Sequence, residues 1–82
     1  MPRPEELLNK AFGETLRKTR QAAKISQEGL AAMSGLHRTY VSQLERGQKS
    51  PSLSVIAALA RSLGLRPHEL VKSAEKVLDL SP

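Results

Sequence analysis

The sequence predicts an all-α domain built from five helices. Apolar residues recur at spacings of three and four, and no segment shows the alternation with period two that is typical of a strand. Short connections rich in glycine, proline or serine separate the five helical patterns. With 82 residues and no cysteine, the chain is expected to form one small domain, residues 1–82, with a limited core and no disulfide.

The first helix is predicted over residues 4–23. Pro4 suits the first turn of a helix, and the two glutamates that follow it favour the positive end of the helix dipole. Phe12 and Leu16 lie four positions apart and predict the buried face. Gly13 is interpreted as a weak point inside the helix, costing about 1 kcal/mol relative to alanine.

The second helix is predicted to begin after Ser26, a good N-cap, and to end at Gly35 in the C′ position. The third helix is predicted over residues 38–46, with His37 at the N-cap and Gly47 as the stop. Its buried side is expected to contain Leu36, Val41 and Leu44. Its outward side is expected to be polar and to contain Arg38, Thr39, Ser42, Gln43 and Arg46.

Two more helices follow a loop that Pro51 keeps out of the helical conformation. Ser52 caps the fourth helix, which ends at Gly64, and the fifth is predicted over residues 66–80, with Pro67 near its start. The fifth helix has an apolar stripe formed by Leu70, Val71, Ala74, Val77 and Leu78. The stripe is wide for a core face alone, so we expect it to form a homodimer contact, with ordinary core packing as the alternative.

The excess positive charge is concentrated in residues 17–49. This stretch contains seven basic and two acidic residues, which accounts for the whole net charge of +5. A localised basic surface favours a polyanionic partner, and nucleic acid is favoured over a membrane because no basic segment joins a Trp- or Phe-rich face. Arg3 and Lys10 lie outside this stretch and are expected to be solvated. The N-terminus lacks the apolar stretch of a signal peptide, so a cytoplasmic protein is expected.

Residues 26–47 have the layout of a helix-turn-helix, in which a tight glycine turn joins two short helices and the second enters the major groove of DNA. Arginine can bind guanine with two hydrogen bonds, glutamine can pair with adenine, and serine and threonine can donate or accept. The residues that match these requirements are Arg38, Thr39, Ser42 and Gln43.

Phosphate contacts are expected on both sides of the third helix. Gln27 opens the second helix, whose first backbone N–H groups form an anion site. Gln43 can alternatively pair with Gln27 inside the protein and support it. The phosphate candidates beyond the third helix are Arg46, Lys49 and Ser50. Tyr40 is expected to pack in the core or at a dimer edge.

The segment SQEGLAAMSGLHRTYVSQLERGQKSPSL resembles the DNA-binding domain of the Cro/C1 repressor (XRE) family. The similarity covers residues 16–70 and depends on the SQE start, the Leu30–Ala31 pair, the turn at Gly35 and Leu36, and the LERG-x-x-x-P ending. The resemblance implies a five-helix lambda-repressor-like fold with the helix-turn-helix at helices 2 and 3. HRTYVSQLERG is also similar to restriction–modification controller proteins, small dimeric regulators of this family.

The resemblance also implies roles for individual residues. An arginine of helix one pairs with the glutamate that ends helix three, and these are Arg20 and Glu45 here. Phosphate contacts map onto Gln27 and residues 46–50. The base-reading positions fall on His37, Arg38, Thr39, Ser42 and Gln43. His37 departs from the Ser, Thr or Asp usual at its position, and Gly29 replaces an acidic residue, which is expected to loosen helix two.

These observations predict a sequence-specific transcriptional regulator that binds an inverted repeat in double-stranded DNA as a homodimer. The alternative is a protein-interaction module, or the antitoxin of a toxin–antitoxin pair, with the same fold. An enzyme is not expected, because a chain with no cysteine, two histidines and no clustered carboxylates offers no nucleophile–base or metal constellation. We therefore expect no cofactor, no metal and no small-molecule ligand.

Overall fold

The computed structural model describes residues 1–79 and contains five helices within that range. They are α1 (Pro4–Ala22), α2 (Gln27–Ser34), α3 (Arg38–Glu45), α4 (Leu53–Ser62) and α5 (Pro67–Asp79). No strand occurs within this range, so the all-α prediction is confirmed. Apart from the C-terminal end of α5, the helix ends agree with the predicted ones to within two residues. Leu80, predicted as the last residue of helix five, lies outside the described residues. None of the five described helices is both long and apolar enough to cross a membrane.

Serine caps begin α2 and α4. Ser26 Oγ accepts a hydrogen bond from the N–H of Gly29 at 2.9 Å, and Ser52 Oγ accepts one from the N–H of Val55 at 3.1 Å. His37 occupies the N-cap of α3 but makes no capping hydrogen bond through its side chain. The left-handed backbone that ends three of the helices is supplied by Gly35, Gly47 and Gly64, with φ of 71°, 73° and 73°.

The hydrophobic core receives side chains from all five helices. Its fully buried large residues are Leu16, Leu30, Val41, Leu44, Leu59 and Leu70. Helix α1 packs against α3 and α5, whereas α2 packs against α3 and α4. The pair α2–α3 is therefore held between the longest helix on one side and α4 on the other, which fixes its orientation.

Helices α1 and α3 approach each other closely at Gly13. A β-carbon at this position would overlap the carbonyl oxygen of Leu44 and would lie 2.6 Å from that of Glu45. Glycine inside a helix costs about 1 kcal/mol, but here it allows the two backbones to touch. The structure thus corrects the interpretation of Gly13 as a simple weak point in α1.

Helix α5 buries part of the apolar stripe that the sequence assigned to a dimer contact. Leu70 and Ala74 have exposed fractions of 0% and 1% and belong to the core of the single chain. The dimer prediction is wrong for these two residues, because their spacing of four places them on the same inward side of the helix. Val71, Val77 and Leu78 are only partly buried, so a dimer contact stays a prediction for these three residues.

Candidate nucleic-acid interface

The turn between α2 and α3 is a compact glycine turn. Gly35 adopts a φ of 71°, and the next N–H, that of Leu36, donates to the carbonyl of Ala31 at 2.9 Å. Ala31 is buried at the end of α2, and Val41 is fully buried in α3. Because both helices are anchored by buried side chains on either side of this short turn, the angle between them is set by packing.

The outward side of α3 carries the side chains that the sequence predicts to read bases. Val41 and Leu44 occupy the opposite side of the helix and are fully buried. At 100° per residue, Arg38, Thr39, Ser42 and Gln43 fall within one half of the helical circumference. The exposed candidates are His37, Arg38 and Thr39. The half-buried ones are Ser42 and Gln43. The structure therefore brings Arg38, Thr39, Ser42 and Gln43 to one side of α3, whereas His37 is exposed at the N-cap, before the helix begins.

Arg20 and Glu45 form a nearly buried ion pair beneath the end of α3. Arg20 Nε donates to Glu45 Oε2 at 2.6 Å and Nη2 donates to Oε1 at 3.0 Å, so the pair is bidentate. The side chains are only 12% and 2% exposed, respectively. Arg20 Nη1 also donates to the carbonyl of Ile25 at 2.9 Å. One guanidinium thus joins α1, the loop before α2 and the last turn of α3.

The electrostatics of this pair favour the charged arginine. The hydrogen bond that Arg20 donates to Glu45 raises the pKa of the guanidinium above its ordinary value, desolvation acts in the opposite direction, and the negative charge of Glu45 adds to the rise. The arginine therefore stays charged at neutral pH.

Gln27 adds a second connection to Glu45. Its Nε2 donates to Glu45 Oε1 at 3.0 Å, so the partner of this amide inside the protein is Glu45 and not Gln43. The bond fixes the first residue of α2 against the end of α3. Gln27 stays half-buried at the start of α2, where the sequence predicts a phosphate contact.

The loop after α3 presents an exposed basic surface. Arg46, Lys49 and Ser50 are all exposed, and Arg46 Nε donates to the carbonyl of Ser42 at 3.3 Å. Gly47 lies against α1, since a β-carbon built on it would be 2.9 Å from the Cα of Lys10. Lys10 is exposed beside this loop. The sequence analysis expects Lys10 to be solvated, which agrees with its exposure, but its position beside this loop depends on the packing of α1 and could not be predicted.

An exposed acidic residue lies beside the outward face of α3. Glu28, in the first turn of α2, places its Oε1 3.7 Å from Nε of Arg38. Their side chains are 77% and 64% exposed, so the contact is on the surface. The sequence contains no signal for this pairing, because it depends on the angle between α2 and α3.

Two short helices joined by a glycine turn, with exposed polar residues on the second and a basic loop after it, define a helix-turn-helix DNA-binding domain. Among residues 1–79, no three side chains that could hold a metal ion lie together. Residues 16–70 match the helix-turn-helix family HTH_3. The chain belongs to this family and is a DNA-binding transcriptional regulator.

Several relatives carry the same domain. The control protein C.BamHI of Bacillus amyloliquefaciens is 41% identical over 61 residues, which span 73% of this chain and 75% of the relative. The crystal structure of the restriction-modification controller protein C.AhdI from Aeromonas hydrophila is similar with a TM-score of 0.74 and 48% identity, covering 76% of this chain and 94% of the other.

A third similarity extends further along the fold. The crystal structure of the clp gene regulator ClgR from Corynebacterium glutamicum has a TM-score of 0.87 and 32% identity, covering 94% of this chain and 82% of the other. Together these similarities confirm the resemblance to Cro/C1-type (XRE) regulators and to restriction–modification controllers that the sequence predicts.

Proposed function

We propose that this chain binds an inverted repeat in double-stranded DNA as a homodimer and regulates the promoter that contains it. In this proposal α3 lies in the major groove, and its outward side chains contact base edges. The observation that carries the proposal is the division of α3 into a fully buried apolar side and an exposed polar side. The residues proposed to read bases are His37, Arg38, Thr39, Ser42 and Gln43.

The proposed phosphate contacts flank α3 on both sides. Gln27 stands at the N-terminus of α2, where backbone N–H groups and the helix dipole favour an anion. Arg46, Lys49 and Ser50 are exposed in the loop that follows α3. Lys10 adds a further positive charge next to Gly47. Contacts on both flanks would hold α3 at a fixed depth and register in the groove.

The proposed dimer interface lies along α5 and the start of α4. Leu53, at the start of α4, is 85% exposed, and a second copy could cover its side chain. Between α1, α4 and α5, a groove of about 110 Å³ is lined mainly by apolar side chains, including those of Leu8, Ile56 and Val71. Val77 and Leu78 continue this surface along α5. A second copy would cover these groups and place two α3 helices about 34 Å apart.

The names of two relatives support a proposal about which genes this regulator controls. C.BamHI is a control protein and C.AhdI is a restriction-modification controller protein. We propose that this chain likewise controls expression at a restriction–modification locus. A methyltransferase and an endonuclease encoded beside it would support this setting, whereas a neighbouring toxin gene would favour the antitoxin alternative.

Selection of bound duplexes from a random pool tests the proposed function directly. We expect the selected sequences to contain two inverted half-sites whose centres are about one helical turn apart. Titration with salt should then give a linear decrease of log affinity against log salt, with a slope of about −0.9 per phosphate neutralised. Binding that does not depend on salt, or selected sequences without a repeat, would reject the proposal.

A further inference from the structure

We propose that Glu28 positions Arg38 and thereby raises the preference of this protein for its specific site over random DNA. The inference deepens the proposed function and rests on α3 reading base edges. Glu28 would act as a positioning residue, since its carboxylate acts on the guanidinium and not on a base.

The surface around α3 is basic, and Glu28 is the exception. Within residues 17–49 the only acidic residues are Glu28 and Glu45. Glu45 has a side chain that is 2% exposed and engaged by Arg20 and Gln27. Glu28 is 77% exposed, and its Oε1 is 3.7 Å from Nε of Arg38. The single exposed carboxylate of the basic segment therefore lies beside the first residue of α3.

The contact leaves the other edge of the guanidinium available. Glu28 approaches Arg38 at Nε, so the two Nη groups remain to donate to guanine O6 and N7. The same carboxylate repels a phosphate that approaches this guanidinium. On random DNA, where Arg38 has no matching guanine and would contact phosphate, Glu28 therefore weakens binding. At the specific site Arg38 contacts guanine and not phosphate, so this repulsion does not arise there.

An exposed ion pair of this kind contributes little to stability. Its effect should therefore be visible in DNA binding and not in unfolding. This separates a positioning role from a structural one, because a structural role would change the melting temperature.

The test compares Glu28→Gln with Glu14→Gln, which removes the same charge. Glu14 lies on α1 and pairs with Lys18 at 3.2 Å, so its loss changes the net charge but not the surroundings of Arg38. The probes are a random-sequence duplex and the duplex selected by the wild-type protein, measured at one salt concentration. We expect Glu28→Gln to lower the ratio of specific to random affinity about three- to fivefold, from the loss of one charge near a phosphate. Glu14→Gln should leave the ratio unchanged.

The double variant Glu28→Gln/Arg38→Ala tests whether Glu28 acts through Arg38. In an Arg38→Ala background, Glu28→Gln should no longer change the ratio. Glu28→Gln should also reduce discrimination at the same base pair at which Arg38→Ala reduces it. An unchanged ratio in the single variant, or an equal change with and without Arg38, would overturn the inference. Each of these two results would leave the proposed function intact. Salt-independent binding by the wild-type protein would instead reject the proposed function, and the inference about Glu28 with it.

Discussion

Gly13 of α1 lies directly against the carbonyl groups of Leu44 and Glu45 at the end of α3. This contact sets the distance between the longest helix and the helix proposed to enter the DNA groove. Leu44 is fully buried, and Glu45 is paired with Arg20, so the same turn of α3 is held by backbone contact, apolar packing and charge.

The first prediction concerns this contact. Gly13→Ala would gain about 1 kcal/mol of helix propensity. The added methyl group has to displace backbone carbonyls, so we expect a net loss of about 1–3 kcal/mol in the free energy of unfolding. Urea denaturation measures it. Gly29→Ala is the matched control, because its β-carbon would meet only the side chains of Ile25 and Ser26, both at 3.2 Å. A loss no larger than that of the control would contradict the steric argument.

The second prediction concerns the ion pair beneath α3. Glu45→Ala leaves Arg20 nearly buried without its carboxylate, and we expect a loss of about 3–5 kcal/mol in the free energy of unfolding. The double variant Arg20→Met/Glu45→Met should be more stable than either single variant, because it removes both charges together. Thermal melting at neutral pH compares the wild type, Glu45→Ala, the two single methionine variants and the double variant. Wild-type melting of Glu45→Ala would show that the pair contributes nothing to the fold.

The third prediction concerns Lys24, which adopts a φ of 59° after α1. Its N–H donates to the carbonyl of Gln21 and the next N–H, that of Ile25, donates to Arg20, so the residue occupies the left-handed position of a helix end. Glycine adopts this conformation without strain. Lys24→Gly should therefore gain about 0.5–1 kcal/mol of stability after the entropic cost of glycine. Lys24→Ala keeps the β-carbon and should gain nothing, and equal melting temperatures for the two variants would refute the explanation.

The fourth prediction concerns a buried hydroxyl in α1. Thr15 is 5% exposed, and its Oγ1 has no hydrogen-bond partner among residues 1–79. Thr15→Val keeps the shape of the side chain and should stabilise the fold by about 1 kcal/mol. In contrast, the Thr19 hydroxyl donates to the Thr15 carbonyl at 2.7 Å, so Thr19→Val should destabilise by about 1 kcal/mol. Opposite shifts of the urea midpoint are expected, and a lower midpoint for Thr15→Val would contradict the view that its hydroxyl is unsatisfied.

The fifth prediction separates base reading from phosphate binding. Arg38→Ala should cost about 1–3 kcal/mol of affinity at the specific duplex and relax the preference at one base pair. Lys49→Ala should weaken all duplexes similarly and lower the magnitude of the salt slope by about one. Fluorescence anisotropy with both duplexes measures these effects. Equal losses for Arg38→Ala on specific and random DNA would remove its base-reading role.

The sequence alone determined the fold class and the order of the helices. The serine caps and the glycine stops are local signals, since each acts on backbone groups within a few residues. Ser26 and Gly35 therefore mark the ends of α2 correctly from the sequence alone. The polar side of α3 was also predictable, because helical periodicity separates Arg38 and Thr39 from the buried Val41 and Leu44.

Only the tertiary structure decided which side chains meet across the helices. The close approach at Gly13, the Gln27–Glu45 hydrogen bond and the Glu28–Arg38 pair each join different helices. The packing of the helices also decided which residues of the apolar stripe on α5 are buried in the core, as Leu70 is. Periodicity shows that a helix has an apolar side, but the crossing angles and distances between helices result from the packing of the whole core.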